Sequence, residues 1–299
     1  MTNYTLHLGD CLEIMPTLPA ESVGLIVTSP PYNVRKNYGN GYSDEIPWPT
    51  YYEWLGRVLD ECYRVLEMGG TLAINVPSVV GWQSEHKYAH TWADYDPSVP
   101  THRYGKKALG RGRSEPLGFR LWSMMAGRDS HMREPLIWVK GGDEESTVAR
   151  DNRMGSDNNP YLRSVHEFIL IGSKGQWFHR GGTGRRGKDE VPFHEETKDV
   201  WYIRPESDAL HPAVFPVEIP RRLIRLYTHA SDAIVLDPFC GRGTTGVAAM
   251  ELDRTFIGIE QNLRYVEIAD GAIIQARSRL PLHIPPAPPS QVARQLKLE

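Results

Sequence analysis

Ile234-Val-Leu-Asp-Pro-Phe-Cys-Gly-Arg-Gly-Thr-Thr-Gly246 runs from an apolar strand through a glycine turn into the start of a helix. Gly241, Gly243 and Gly246 keep the spacing G-x-G-x-x-G, and Glu260 closes the next apolar strand, Thr255-Phe-Ile-Gly-Ile-Glu260. Backbone without Cβ atoms lets a ligand come close, and an acid at the neighbouring strand end suits ribose hydroxyls. The pattern predicts a nucleotide-like cofactor, with a nicotinamide dinucleotide of an oxidoreductase as one reading. Three details point elsewhere. Asp237-Pro238-Phe239 lengthens the turn and adds a carboxylate, little chain follows Gly246 for a second half-domain, and no Gly-Lys-Ser/Thr marks a phosphate loop. An acidic glycine turn without pyrophosphate partners suits S-adenosylmethionine, whose methionyl end is zwitterionic.

The flanks alternate in the same manner. Tyr4–Leu8, the near-continuous apolar run Val23–Thr28, Thr71–Val76, Pro135–Val139 and Val165–Ile171 read as strands. Helices are predicted from Asp10, over Thr50–Met68 up to the stop at Gly69-Gly70, and near 116–128, 217–229, 244–252 and 263–276. Asp10 and Glu13 are spaced as a capping box. Strands alternating with helices predict an α/β fold, a doubly wound and mostly parallel sheet filling one domain over residues 1–280. Three polar inserts, 77–114, 141–163 and 173–210, interrupt it, and Asp199–Arg204 is read as irregular. Residues 281–299 form a proline-rich tail. The tryptophans Trp48, Trp54, Trp122 and Trp138 are read as core.

A second motif stands at the end of the 23–28 strand, where the chain continues Thr28-Ser-Pro-Pro-Tyr-Asn33. Two prolines remove ladder donors and stiffen the backbone, which a simple turn does not need. Ser29 and the Pro30 carbonyl are two acceptors at a strand end, locked in place, beside the flat face of Tyr32. Such acceptors draw electron density onto an amine that must attack an electrophilic carbon.

TSPPYN at 28–33, His211-Pro-Ala-Val-Phe-Pro-Val-Glu-Ile-Pro220 and DPFCGRGTT at 237–245, in that order, resemble the β-class amino DNA methyltransferases. Serine as the first motif residue is similar to the N4-cytosine branch of that family, whereas N6-adenine members usually begin with aspartate. Asn33 is shared with many adenine enzymes, so N6-adenine methylation is the alternative. The resemblance implies a Rossmann-like S-adenosylmethionine-dependent fold and a catalytic segment of Ser29, Pro30, Pro31 and Tyr32. It implies cofactor contacts at Asp10, Cys11, His211 and Phe215, then at Asp237, Phe239, Gly241, Gly243, Thr244, Thr245 and Glu260. The target base would be flipped out of duplex DNA, since its amine takes part in pairing. Methylation at ring carbon 5 is disfavoured, because it needs a cysteine nucleophile and no Pro-Cys dipeptide is present.

The formal net charge of −3 does not advertise a polyanion binder, but its distribution does. Residues 101–113 carry five Lys or Arg and no acid, and 180–188 carry four basics among glycines. Arg111, Arg113, Arg180, Arg185, Arg186 and Lys188 are therefore the expected contacts to double-stranded DNA, mostly to phosphate. A cognate restriction endonuclease and a homodimer are further partners the resemblance leaves open. No metal is expected. The start MTNYTLHLGD lacks a basic and an apolar leader region, no run is long enough for a membrane span, and three cysteines are an odd number. A reduced, cytoplasmic location is the expectation.

Overall fold

The apolar runs at 23–28, 234–237 and 255–260 stand side by side, buried on both faces. The computed structural model describes residues 3–34, 46–83, 111–141, 155–156, 159–160, 164–175, 193–206, 215–228 and 233–279. In chain order the first half holds β1 (Tyr4–Leu8), α1 (Cys11–Ile14), β2 (Val23–Thr28), α2 (Trp48–Val65) and β3 (Leu66–Val76). Then come β4 (Val80–Gln83), β5 (Arg111–Glu115), α3 (Leu117–Ala126), β6 (Ser130–Met132) and β7 (Leu136–Val139). The short β8 (Gly155–Ser156) and β9 (Asn159–Pro160) precede β10 (His166–Lys174), α4 (Phe193–Glu196) and β11 (Val200–Tyr202). The chain ends its regular part with α5 (Glu218–Tyr227), β12 (Ile234–Asp237), α6 (Thr244–Glu251), β13 (Thr255–Glu260) and α7 (Leu263–Ser278).

Among the described residues nine strands form one sheet, in the order β1-β13-β12-β2-β3-β10-β7-β11 with β6 beside β10. The first five are mutually parallel, and β11 is parallel to β7. The strand β10 runs against β3, β6 and β7. Helices cover both faces. Ile26, Leu72 and Ile74 share a core with Leu55 and Leu59 of α2 and Leu117 and Leu121 of α3. Leu25, Val27 and Val235 point the other way, into a core with Leu223 of α5, Ala249 of α6 and Ile273 of α7. Each such apolar side chain contributes about 1.5–3 kcal/mol by leaving water, so the alternation along β2 fixes its register.

The structure departs from the expectation at the end of α2, at β11 and at α4, a short helix inside the insert 173–210. Helix α2 stops at Val65, because Leu66 already has extended backbone (ψ 134) and the chain enters β3 without a loop. Gly69 (φ +83) and Gly70 sit inside that strand, where the β2–β3 register shifts between Val23 and Leu25. A Cβ on Gly70 would meet the Glu67 carbonyl at 2.8 Å, so the pair serves an irregular strand and not a helix stop. Residues 200–202, read as irregular, form edge strand β11, held by the buried Trp201.

Two further antiparallel pairs, β4 with β5 and β8 with β9, fall at the inserts. The 281–299 tail lies outside the described residues. No described helix is long and apolar enough to cross a membrane.

Candidate active site

Parallel strands deliver their carboxyl ends to one edge, and β1, β13, β12 and β2 are neighbours. A cavity of about 1040 Å³, its open mouth included, lies at that edge. The residues following β2 (Ser29, Pro30, Pro31 and Tyr32) line it, and so does the turn from Asp237 to Arg242 that follows β12. The motif at 28–33 and the glycine turn therefore share one space.

One hydrogen bond joins the two strand ends. Thr28 Oγ1 donates to Asp237 Oδ1 at 2.7 Å. The same buried carboxylate accepts from Thr245 Oγ1 at 2.7 Å and from the Phe239 N–H at 3.1 Å. Burial nevertheless dominates and pushes Asp237 up to about 6, with Glu260 adding to the rise. Glu260 spans the turn: Oε2 accepts from the Gly241 N–H at 3.0 Å and Oε1 from the Asn262 N–H at 2.9 Å. Its carboxyl is also raised by burial, against the pull of those N–H groups. Asp10 caps the short α1 by accepting from the Leu12 N–H and takes a further bond from Gln261 Nε2, both at 2.7 Å.

On the other side the lining residues Ser29 to Tyr32 are uncharged. Ser29 Oγ lies 2.6 Å from the Tyr32 hydroxyl, and Tyr51 donates to the Pro31 carbonyl at 2.7 Å. Asn33 adopts φ +58, the left-handed region that asparagine tolerates better than most residues. Its buried amide brackets Ile46, accepting from the Ile46 N–H and donating to the Ile46 carbonyl. Trp54 and Phe239 form an aromatic wall, their centroids 5.7 Å apart.

Of the cofactor residues expected from the sequence, Asp10, Cys11 and Phe215 reach the cavity, as do Asp237, Phe239, Gly241, Thr244 and Glu260. Gly243 and Thr245 do not line it. A Cβ on Gly243 would meet Ala269 Cβ at 2.8 Å, so that glycine lets α7 approach the turn. Thr245 is fully buried and its hydroxyl is used on Asp237. Gly246 packs likewise against Phe256 and Ile273. Only one glycine of the G-x-G-x-x-G spacing thus meets the cavity.

His211, Arg180, Arg185, Arg186 and Lys188 lie outside the described residues. Arg111 and Arg113 lie on β5, which pairs with β4. Trp48 and Trp138 are buried as expected, whereas Trp122 is 39% exposed on α3. Sequence reasoning did not single out seven lining residues, Gly9, Pro238, Cys240 and Ile259 beside Trp54, Arg242 and Gln261. Arg242 stands between two motif glycines and Gln261 follows Glu260, which are usable signals; Trp54 on an amphipathic helix offers none.

The lining chemistry selects among ligands. Asp10, Asp237 and Glu260 line the cavity, with Arg242 as the one basic lining residue among those described. Three carboxyls repel a pyrophosphate but suit hydroxyls and cationic groups, and the aromatic wall favours a cation further. The three free cysteines are buried, their thiols pushed up chiefly by that burial, so none offers a thiolate. Among the described residues no group of three His, Cys, Asp or Glu is placed to hold a metal ion.

Known proteins resemble this chain in sequence and in fold. The N6/N4 family model, described as DNA methylase, matches residues 23–271. The type II methyltransferase M.Cfr9I of Citrobacter freundii is 30% identical over 280 residues, covering 90% of this chain and 87% of that protein. The type II methyltransferase M.BglII of Bacillus subtilis is 26% identical over 274 residues, covering 88% and 67%. Among solved structures, TTHA0409 of Thermus thermophilus, in complex with S-adenosyl-L-methionine, superposes with a TM-score of 0.66 at 26% identity, covering 91% of this chain and 94% of that one. The PvuII cytosine-N4-specific DNA methyltransferase superposes with a TM-score of 0.61 at 19% identity, covering 95% and 89%. The doubly wound, mostly parallel fold expected from the sequence is the Rossmann-like fold of both.

Proposed function

We propose, because the chain belongs to the N6/N4 DNA methylase family, that it methylates the exocyclic N4 amine of a flipped-out cytosine in duplex DNA. The observation that carries this reading is the shared cavity lined by both Ser29–Tyr32 and the Asp237–Arg242 turn. An acceptor segment and a cofactor turn lining one cavity are what a direct transfer between two bound groups requires.

The residues present fit S-adenosylmethionine. Glu260 keeps lone pairs for ribose hydroxyls beyond its two backbone bonds. Asp10 and Gln261, bonded to each other beside the cavity, would hold the adenine amine. Thr244 opens α6 and, with Arg242, suits the methionyl carboxylate. Bound there, the cofactor supplies a methyl group on a sulfonium, an excellent leaving group.

That leaving group makes a strong base unnecessary. Ser29 Oγ and the Pro30 carbonyl accept the two N–H bonds of the target amine and turn its lone pair outward. They also stabilise the positive charge that grows on nitrogen, a contribution of about 3–4 kcal/mol for a well-placed group. Once the S–CH3 bond has broken, the methylated, cationic amine releases one proton to water. Tyr32 gives the extruded base a stacking face worth about 1–3 kcal/mol. A neutral serine at the head of the motif favours cytosine over adenine. Asn33 does not favour adenine, since its backbone conformation and its grip on Ile46 account for it. The basic inserts, including Arg111 and Arg113, hold the duplex, and the type II relatives support a role beside a cognate endonuclease.

The test is chemical. Duplex DNA incubated with the protein and S-adenosylmethionine is digested to nucleosides and analysed by mass spectrometry. N4-methylcytosine is expected. N6-methyladenine in its place would overturn the cytosine assignment and keep the family.

A further inference from the structure

Behind the Ser29 hydroxyl runs a line of buried polar groups that the transfer itself does not use. Tyr32, Asn75 and Glu167 are each no more than 5% exposed. Asn75 Nδ2 donates to the Tyr32 hydroxyl at 2.9 Å and to Glu167 Oε2 at 2.8 Å. Lys140 Nζ donates to Glu167 Oε1 at 2.6 Å and lies 4.9 Å over the Trp138 ring. Tyr32 in turn donates to the Asn75 main-chain carbonyl at 3.2 Å and meets Ser29 Oγ at 2.6 Å. The line crosses from β2 through β3 and β10 to the residue after β7.

Proton counting gives this line a direction. A carboxylate paired with an ammonium accepts only, so it is the amide nitrogen of Asn75 that must face Glu167. That nitrogen's second hydrogen occupies one lone pair of the Tyr32 oxygen. The Asn75 main-chain oxygen can only accept, so it takes the single Tyr32 proton. All these bonds coexist only if Ser29 is the donor in its contact with Tyr32. The Ser29 proton is then committed to Tyr32, and lone pairs on Oγ remain for an incoming N–H.

We propose that Tyr32 through its hydroxyl, Asn75, Glu167 and Lys140 are positioning residues that fix Ser29 as a hydrogen-bond acceptor toward the target amine. Without them the hydroxyl rotates, and its proton competes with the amine it should receive. The inference rests on the proposed role of Ser29. A purely structural role for the same residues, satisfying a buried carboxylate, would not act through that one atom.

The test is a pair of double-mutant cycles. Single-turnover methyl transfer to duplex DNA is measured for Tyr32→Phe, Glu167→Gln and Ser29→Ala, and for each of the first two combined with Ser29→Ala. Affinities for S-adenosylmethionine and duplex, and thermal unfolding, are read alongside. Tyr32→Phe keeps the ring and is expected to slow transfer about tenfold, and Glu167→Gln about threefold, with both affinities within about twofold. In the Ser29→Ala background neither change is expected to slow transfer by more than about twofold. Losses that persist undiminished in that background, or that follow a fall in affinity or unfolding temperature, overturn the positioning role and leave the Ser29 reading standing. Full activity in Ser29→Ala itself overturns the Ser29 reading first. Should one of the two variants not fold, the other cycle decides.

Discussion

The two walls of the cavity hold their shape by opposite means. The Ser29–Tyr32 wall is neutral, stiffened by two prolines and by hydroxyl contacts to Tyr32 and Tyr51. The Asp237–Arg242 wall bends on Gly241 (φ +50) and is stitched by Asp237 and Glu260, two carboxyls that burial raises. Prolines offer fixed acceptors and need no charge. A glycine turn offers donors and close approach, but something must hold it, and here buried acids do. The contrast sets the wall proposed to act on an amine apart from the wall proposed to bind the cofactor.

Substitution on each wall should show that separation. Ser29→Ala is expected to lower turnover about 10²–10³-fold while cofactor affinity stays within about twofold; labelled methyl transfer and a binding titration check both. Equal losses would erase the contrast. Asp237→Ala strands two buried hydroxyls and an N–H, and should destabilise by about 3 kcal/mol in a denaturant titration. Glu260→Gln keeps the size but loses the charge, and is expected to weaken cofactor binding about tenfold with saturated turnover changed less than twofold.

The smallest effect is on pH. A carboxyl raised on folding stabilises below its unfolded value and loses that contribution as pH climbs through its folded value. For Asp237 the window runs from about 4 to about 6. Across it, Asp237→Asn should gain unfolding temperature relative to wild type by a few degrees as pH rises, as scanning calorimetry at each pH would read. A constant difference would mean Asp237 is not perturbed.

These walls were legible in the sequence to different depths. Residues 23–28 and 234–237 announced themselves because burial on both faces leaves unbroken apolar runs. The antiparallel return of β10 did not, since strand direction leaves no mark on side-chain alternation. Leu66 and Met68 continued the helical spacing of α2, so its early end at Val65 was invisible until β3 took the chain. Gly243 and Gly246 looked like ligand glycines and proved to be packing glycines, because a missing Cβ reads the same whether a ligand or a helix comes near. Asn75, Glu167 and Lys140 carried no local signal. They meet only because β3, β10 and β7 are neighbours.

Strand β2 is hydrogen-bonded directly to β12, Leu25 against Val235 and Ile26 against Leu236. Adjacent strands stand about 4.8 Å apart whatever their side chains. The roots of the two walls are therefore spaced by peptide geometry, and Thr28 fastened to Asp237 carries that spacing past the last ladder bond. On the proposed function, exchanging the outer inserts would leave untouched the spacing across which the methyl carbon has to travel.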